Sequence, residues 1–168
     1  MEDATPAAKA AVERWHAFWF TPADPLPLGL IRILTGGMLL YNLLIWGTDL
    51  TAFFATDGLQ PLSAIARLQQ NDLIFSFLYW VSDEWLYAVH WSCVAIVALF
   101  TVGLLSRSTS ILAFLITISY SQRVPVANFG LDQLLAMLCL YLAIGPSGDS
   151  LSVDSCLRRR WLEKKKIK

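Results

Sequence analysis

Charge is what this sequence is short of. Of its 168 residues 15% are charged and 56% are hydrophobic, whereas an ordinary soluble domain carries about 25% charged residues. That shortage argues against a water-soluble fold. Cysteine is scarce as well: Cys93 and Cys139 sit inside apolar runs and Cys156 lies beside a basic tail, so neither a disulfide framework nor paired metal-ligand spacing can be read. Residues 1–11 mix Glu2, Asp3 and Lys9 with alanines. They lack the basic start and apolar stretch of a cleaved leader, and none is expected. There is no phosphate loop, no Ser-His-Asp arrangement and no zinc motif. His16 and His90 stand apart from one another and from any Cys or carboxylate at ligand spacing, which leaves an interfacial and a packed histidine and no metal.

What is present is apolar length. Mean hydropathy is +0.53, and seven Trp suit the water–lipid boundary, where a ring with one polar edge is stable. The fold class expected is all-α: a polytopic helical membrane protein with about four spans, an amino-terminal interfacial helix, and an interfacial or re-entrant helix in its first long connection. Pro6 to Phe20 reads as the amphipathic helix, with Val12, Trp15 and Trp19 at helical spacing. Thr21, Pro22, Asp24, Pro25 and Pro27 then break it. Spans are placed near 26–46, 85–105, 109–126 and 130–145, lengths judged against a bilayer core roughly 30 Å thick. Gly36 and Gly37 would admit a neighbouring helix, and Ser106-Arg107-Ser108 is read as a tight turn.

The chain thus divides into an entry segment (1–25), a membrane bundle (26–147) and a basic tail (148–168). Between the first two spans lies the connection 47–84, with Asp49, Asp57, Asp72, Asp83 and Glu84 against Arg67. It has room for a helix over 61–70 and for a short apolar helix over 73–81. Arg158, Arg159, Arg160, Lys164, Lys165, Lys166 and Lys168 crowd the last residues. Basic residues near span ends stay in the cytoplasm, so both termini of a multi-pass cell-membrane protein are placed inside and the acidic connection outside. Arg107 then falls inside and only Arg123 is misplaced. The tail also suits anionic lipid headgroups. For nucleic acid it offers charge and nothing more, so no nucleic-acid partner is expected.

Ionisable groups within apolar runs need a reason to be there. Arg32 either snorkels or bonds a carbonyl or acid to lock the bundle, or it meets an anion or headgroup. Arg123, Asn128 and Asp132 form either a hydrogen-bonded clasp across a helical hairpin or part of a polar pocket open to the outside, since Asn128 and Asp132 share a helix face at a spacing of four.

Several segments together resemble a known family. They are Phe20-Thr21-Pro22-Ala23-Asp24-Pro25, Leu28-Gly29-Leu30-Ile31-Arg32-Ile33-Leu34-Thr35-Gly36, the Asp-Gly connection within 54–61, Arg123-Val124-Pro125-Val126-Ala127-Asn128-Phe129-Gly130-Leu131-Asp132, and Leu151-Ser152-Val153-Asp154. In order and spacing they resemble the horizontally transferred transmembrane (HTTM) domain, shared by bacterial membrane proteins and vitamin-K-dependent gamma-carboxylases. The resemblance implies a polytopic helical domain whose carboxylase members oxygenate vitamin K hydroquinone and use the resulting base to carboxylate glutamate. It further implies a quinone-like ligand, and in the carboxylases an essential lysine beyond the Ser-x-Asp element. Here the tail lysines lie in a charged, solvated run, whereas a catalytic base would need a desolvated pocket to lower its pKa, so no catalytic residue is assigned. The expectation is a non-catalytic or incomplete HTTM-type protein, with Arg32, Arg123, Asn128 and Asp132 lining a pocket for a lipid or quinone-like ligand. The rivals are a subunit of a carboxylase-like enzyme completed by a second membrane chain, and a structural or lipid-interacting membrane protein.

Overall fold

The computed structural model describes residues 6–21, 24–68 and 75–166. Among these the chain is all helical, with eight α-helices and no strand: α1 (Pro6–Phe20), α2 (Leu26–Thr48), α3 (Leu50–Phe54), α4 (Leu62–Leu68), α5 (Asp83–Val102), α6 (Ser106–Arg123), α7 (Gly130–Ile144) and α8 (Val153–Lys166). Two of them, α2 and α5, are long and apolar enough to cross a membrane, with mean hydropathies of 1.7 and 1.8, and α7 is a shorter apolar helix.

The helices α2, α5, α6 and α7 pack side by side in alternating directions. Where α2 meets α5, glycine sets the distance. A Cβ on Gly36 would lie 2.4 Å from the Thr101 hydroxyl, and one on Gly47 would lie 2.9 Å from Nε2 of His90. Residue numbers rise along one helix as they fall along the other, so the pair is antiparallel. The same holds for α2 and α7, where Asn42 meets Asp132 and Leu28 approaches Gly145. Leu39, Leu43, Val97, Phe100, Ala113, Ile116, Cys139 and Leu142 fill the space between them.

Two hydroxyl side chains inside this core are satisfied along their own helix. Ser110 donates to the Ser106 carbonyl at 2.6 Å and Thr117 to the Ala113 carbonyl at 2.7 Å, the local back-bonding open to short hydroxyl side chains. This is why α6 can bury Ser110 and Thr117 while turning Ile111, Leu112 and Leu115 outward; buried Ser119 instead accepts the Phe77 amide at 3.3 Å.

Several boundaries differ from the sequence reading. Ser106-Arg107-Ser108 is no turn but the first turn of α6. The reversal lies at Gly103 to Leu105, with Gly103 at φ +74° and Leu105 at φ +49°, and Asp154 caps the new helix from the far end of the chain. The apolar 73–81 stretch makes, within its described part, a short 3-10 turn over Phe77–Trp80. It is pinned to α6 by Ser76, whose hydroxyl donates to the Ser119 carbonyl at 2.8 Å, and by the Tyr79 hydroxyl on the Gln122 carbonyl at 2.9 Å. The helix expected over 61–70 is α4, and residues 69–70 and 73–74 lie outside the described residues. The tail is not a featureless charged run but contains α8, where Val153, Leu157 and Trp161 recur every fourth residue. Lys165 Nζ sits 5.2 Å from the Trp161 ring.

Candidate functional site

Two buried arginines stand at opposite ends of the bundle. Arg32 enters α2 after Pro27, and Asp24 accepts the Leu26 amide at 3.0 Å to start the helix. Its side chain is wholly buried. Nη1 donates to the Ser147 carbonyl and, at 3.5 Å, to that of Ser150. Nη2 donates to the Leu151 carbonyl at 2.6 Å. The loop that follows α7 therefore wraps its free carbonyls around the guanidinium, which has donors to fill them.

Gly103 closes the other side of this cradle. Any Cβ there would lie 2.7 Å from Cζ of Arg32 and 2.6 Å from Cβ of Ser152, so the reversal after α5 needs glycine for space as well as for its positive φ. Asp154 completes the knot. Its amide donates to the Gly103 carbonyl at 3.2 Å, and its carboxylate accepts the Leu105 amide at 3.0 Å, the Ser106 amide at 2.8 Å and the Ser106 hydroxyl at 2.9 Å. Partial burial opposes the charge on Asp154. The hydrogen bonds from Ser106 and Leu105, with the positive field of Arg32, outweigh it and hold the carboxyl below its ordinary pKa. A cleft of about 440 Å³ opens beside this knot between the start of α6, the end of α7 and α8.

At the opposite end Arg123, the last residue of α6, is equally buried. It donates to the carbonyls of Gln60 at 2.8 Å, Phe54 at 3.1 Å and Ala55 at 2.7 Å, gathering the connection after α3 onto the bundle. No ion pair joins it to Asp132. Asp132 instead caps its own helix by accepting the Phe129 amide at 2.9 Å and takes a longer hydrogen bond, 3.4 Å, from Asn42 on α2. Asn128 donates to the Ser121 carbonyl at 2.8 Å, tying the α6–α7 hairpin across its turn. Arg123, Asn128 and Asp132 are thus neighbours at one end, each with a partner other than the ones expected. Arg32 stands apart from them. It lies ten residues from Asn42 along α2, roughly 15 Å of helix rise, so the four residues do not line one pocket.

His90, read from the sequence as a packed histidine, is buried in the bundle with a partner the sequence did not indicate. His90 Nδ1 lies 2.9 Å from the Tyr120 hydroxyl. Trp46 stacks on the Tyr120 ring at 5.4 Å and Phe54 meets it edge-on at 5.0 Å. Tyr120 lies thirty residues from His90, on α6, and no local spacing in the sequence signals that contact. Among the described residues no three His, Cys, Asp or Glu gather as a metal site. Of the tail residues, Arg158 reaches Asp149 at 2.9 Å in an exposed ion pair, while Arg159, Arg160, Lys164 and Lys165 are exposed along α8. Compared with family models, with curated proteins and with solved structures, the chain finds no match.

Proposed function

We propose that the chain is a multi-pass integral membrane protein of the HTTM type, in which α2, α5, α6 and α7 span the bilayer of the cell membrane and both termini face the cytoplasm. As it stands it is a non-catalytic bundle that holds a lipid or a quinone-like amphiphile. The observation that carries this reading is an inside-out distribution of side chains. Arg32, Thr35, His90, Ser110, Thr117, Ser119 and Arg123 are buried, while Leu30, Leu34, Tyr41, Leu44, Trp91, Leu134, Met137 and Tyr141 are exposed. The core helix of a water-soluble protein is mostly buried, yet 33% of the apolar window of α2 and 28% of that of α5 is covered by protein. Leaving so much apolar surface in water is unfavourable by about 25 cal/mol per Å², and a hydrocarbon environment removes that penalty.

Length supports the two further spans. The 18 residues of α6 rise about 27 Å, near the thickness of the hydrocarbon core, and the 15 of α7 about 22 Å. The shorter helix is extended by the tied turn before it and the Arg32 loop behind it, where irregular backbone is satisfied inside protein. For the HTTM reading the support is spatial. Arg32, in the second resembling segment, bonds Leu151 of the last, and Arg123, in the fourth, bonds Phe54, Ala55 and Gln60 of the third. The non-catalytic reading follows from the same bonds, since both guanidinium groups are engaged by backbone carbonyls. An apolar groove of about 320 Å³ between α2 and α7, walled by Ile31, Leu34, Met38, Leu131, Leu134 and Leu138, suits an alkyl or isoprenoid chain.

The test uses the native cysteines. Cys156 is exposed, whereas Cys93 and Cys139 are buried. The protein should stay in the membrane pellet through alkaline carbonate extraction. A membrane-impermeant maleimide should then label inverted vesicles and leave right-side-out vesicles unlabelled. Recovery in the carbonate supernatant sinks the membrane reading, and labelling from the outside reverses the orientation.

A further inference from the structure

The cleft beside the Arg32 knot has a charge left over. It is walled by Ser106, Arg107, Ile144, Pro146, Asp149, Asp154 and Arg158. Asp149 pairs with Arg158 at 2.9 Å, while Asp154 is held by Leu105 and Ser106, with Arg32, outside the cleft lining, contributing its field. Arg107 is exposed and, among the described residues, forms no ion pair. The lining alone balances, with Arg107 and Arg158 against Asp149 and Asp154; with the buried Arg32 behind Asp154 counted in, three guanidinium groups stand against two carboxylates and one positive charge is in excess. A second guanidinium stands at its rim, since the described ion pair of Arg158 uses one nitrogen, Nη2. Its remaining wall is apolar: Ile144, at the end of α7, is 73% exposed.

A single net positive charge, two guanidinium groups and an adjoining apolar wall match a singly charged phosphodiester attached to a hydrocarbon body. We propose that this cleft seats the phosphodiester of a membrane lipid headgroup, with Arg107 as its counter-charge, Arg158 as a second donor and Ile144 and Pro146 against the glycerol and upper chain. The site is built and local, unlike the diffuse attraction of the basic residues along α8 for an anionic surface. The inference rests on the membrane reading, which places this end of the bundle at the cytoplasmic interface.

The probe is dioctanoyl phosphatidylglycerol, added to the purified full-length protein in neutral detergent while thermal unfolding is followed. The wild type should gain melting temperature in a saturable way, and Arg107→Gln should weaken the apparent affinity about tenfold, the effect of losing one charge-assisted hydrogen bond. Arg159→Gln removes the same charge from α8 outside the cleft and should bind as the wild type does. Should Arg107→Gln fail to fold, Arg158→Gln carries the same expectation. Dioctanoylglycerol and inorganic phosphate are each tested alone. Equal stabilisation by dioctanoylglycerol overturns phosphate recognition, and full stabilisation by phosphate alone overturns the lipid in favour of a free anion. An equal loss in Arg159→Gln and Arg107→Gln overturns a built site. Failure of the membrane reading itself appears independently of these variants, as protein in the carbonate supernatant.

Discussion

The two ends of the bundle solve one problem with the same residue type and different surroundings. Each buries an arginine and spends it on the backbone carbonyls of a loop. At the Arg32 end the loop is short, glycine lets the guanidinium approach a neighbouring turn, and Asp154 ties that turn to the next helix. At the Arg123 end the segment gathered is long, and Asp83 is turned to that segment, accepting from the Thr56 amide at 2.9 Å and the Thr56 hydroxyl at 3.0 Å. The difference teaches that a buried arginine needs no carboxylate in contact. Loop carbonyls without helical partners are themselves costly in an apolar setting, and a guanidinium can satisfy several at once.

The sharpest break in this comparison is removal of either arginine. Arg32→Ala should destabilise the bundle by about 3 kcal/mol or more, since it orphans carbonyls that nothing else reaches, and detergent melting would show it. Arg123→Ala should lower the melting temperature less and expose the 55–62 segment to protease, because the helices can stay packed while the connection lifts away. Equal melting losses without new cleavage would erase the distinction between the ends. Next in size is Gly103→Ala, expected to cost about 2 kcal/mol from the positive φ and the crowding against Arg32. By contrast Gly37→Ala, where a Cβ would meet nothing within 4 Å, should be neutral or gain a few tenths of a kcal/mol from helix propensity.

The third prediction concerns pH at the Arg32 end. The folded carboxyl of Asp154 titrates below its ordinary value, so its contribution is present above the unfolded pKa of about 3.9 and is lost as pH falls through the lower folded value. Melting followed downward from pH 5 should decline more steeply in the wild type than in Asp154→Asn. Parallel curves would remove Asp154 from the account. A smaller loss belongs to Asn128→Ala, about 1 kcal/mol for one hydrogen bond across the α6–α7 turn, read in the same melting assay.

The all-helical class and the two long apolar helices were legible because composition and length report them directly. Helix α8 was legible in part: its fourfold stripe of Val153, Leu157 and Trp161 was present, but a dense run of bases drew the reading toward a solvated tail. The turn at 103–105 was not legible, because its decisive partner, Asp154, lies 48 residues from Ser106 and no local pattern reports such a contact. The same holds for the site. Arg32, Arg123, Asn128 and Asp132 stand out as polar residues in apolar runs, which identifies them as needing partners. Their partners are mostly backbone carbonyls, and a carbonyl belongs to every residue, so residue identity cannot reveal which one is used.

The cradle of Arg32 has a consequence in time. Its acceptors, Ser147 and Leu151, follow it by 115 and 119 residues. At a synthesis rate of about 5–20 residues per second, α2 leaves the ribosome on the order of ten seconds before its arginine has anything to hold. Through that interval α2 carries a waiting charge, and the loop after α7 is the one that lets it settle.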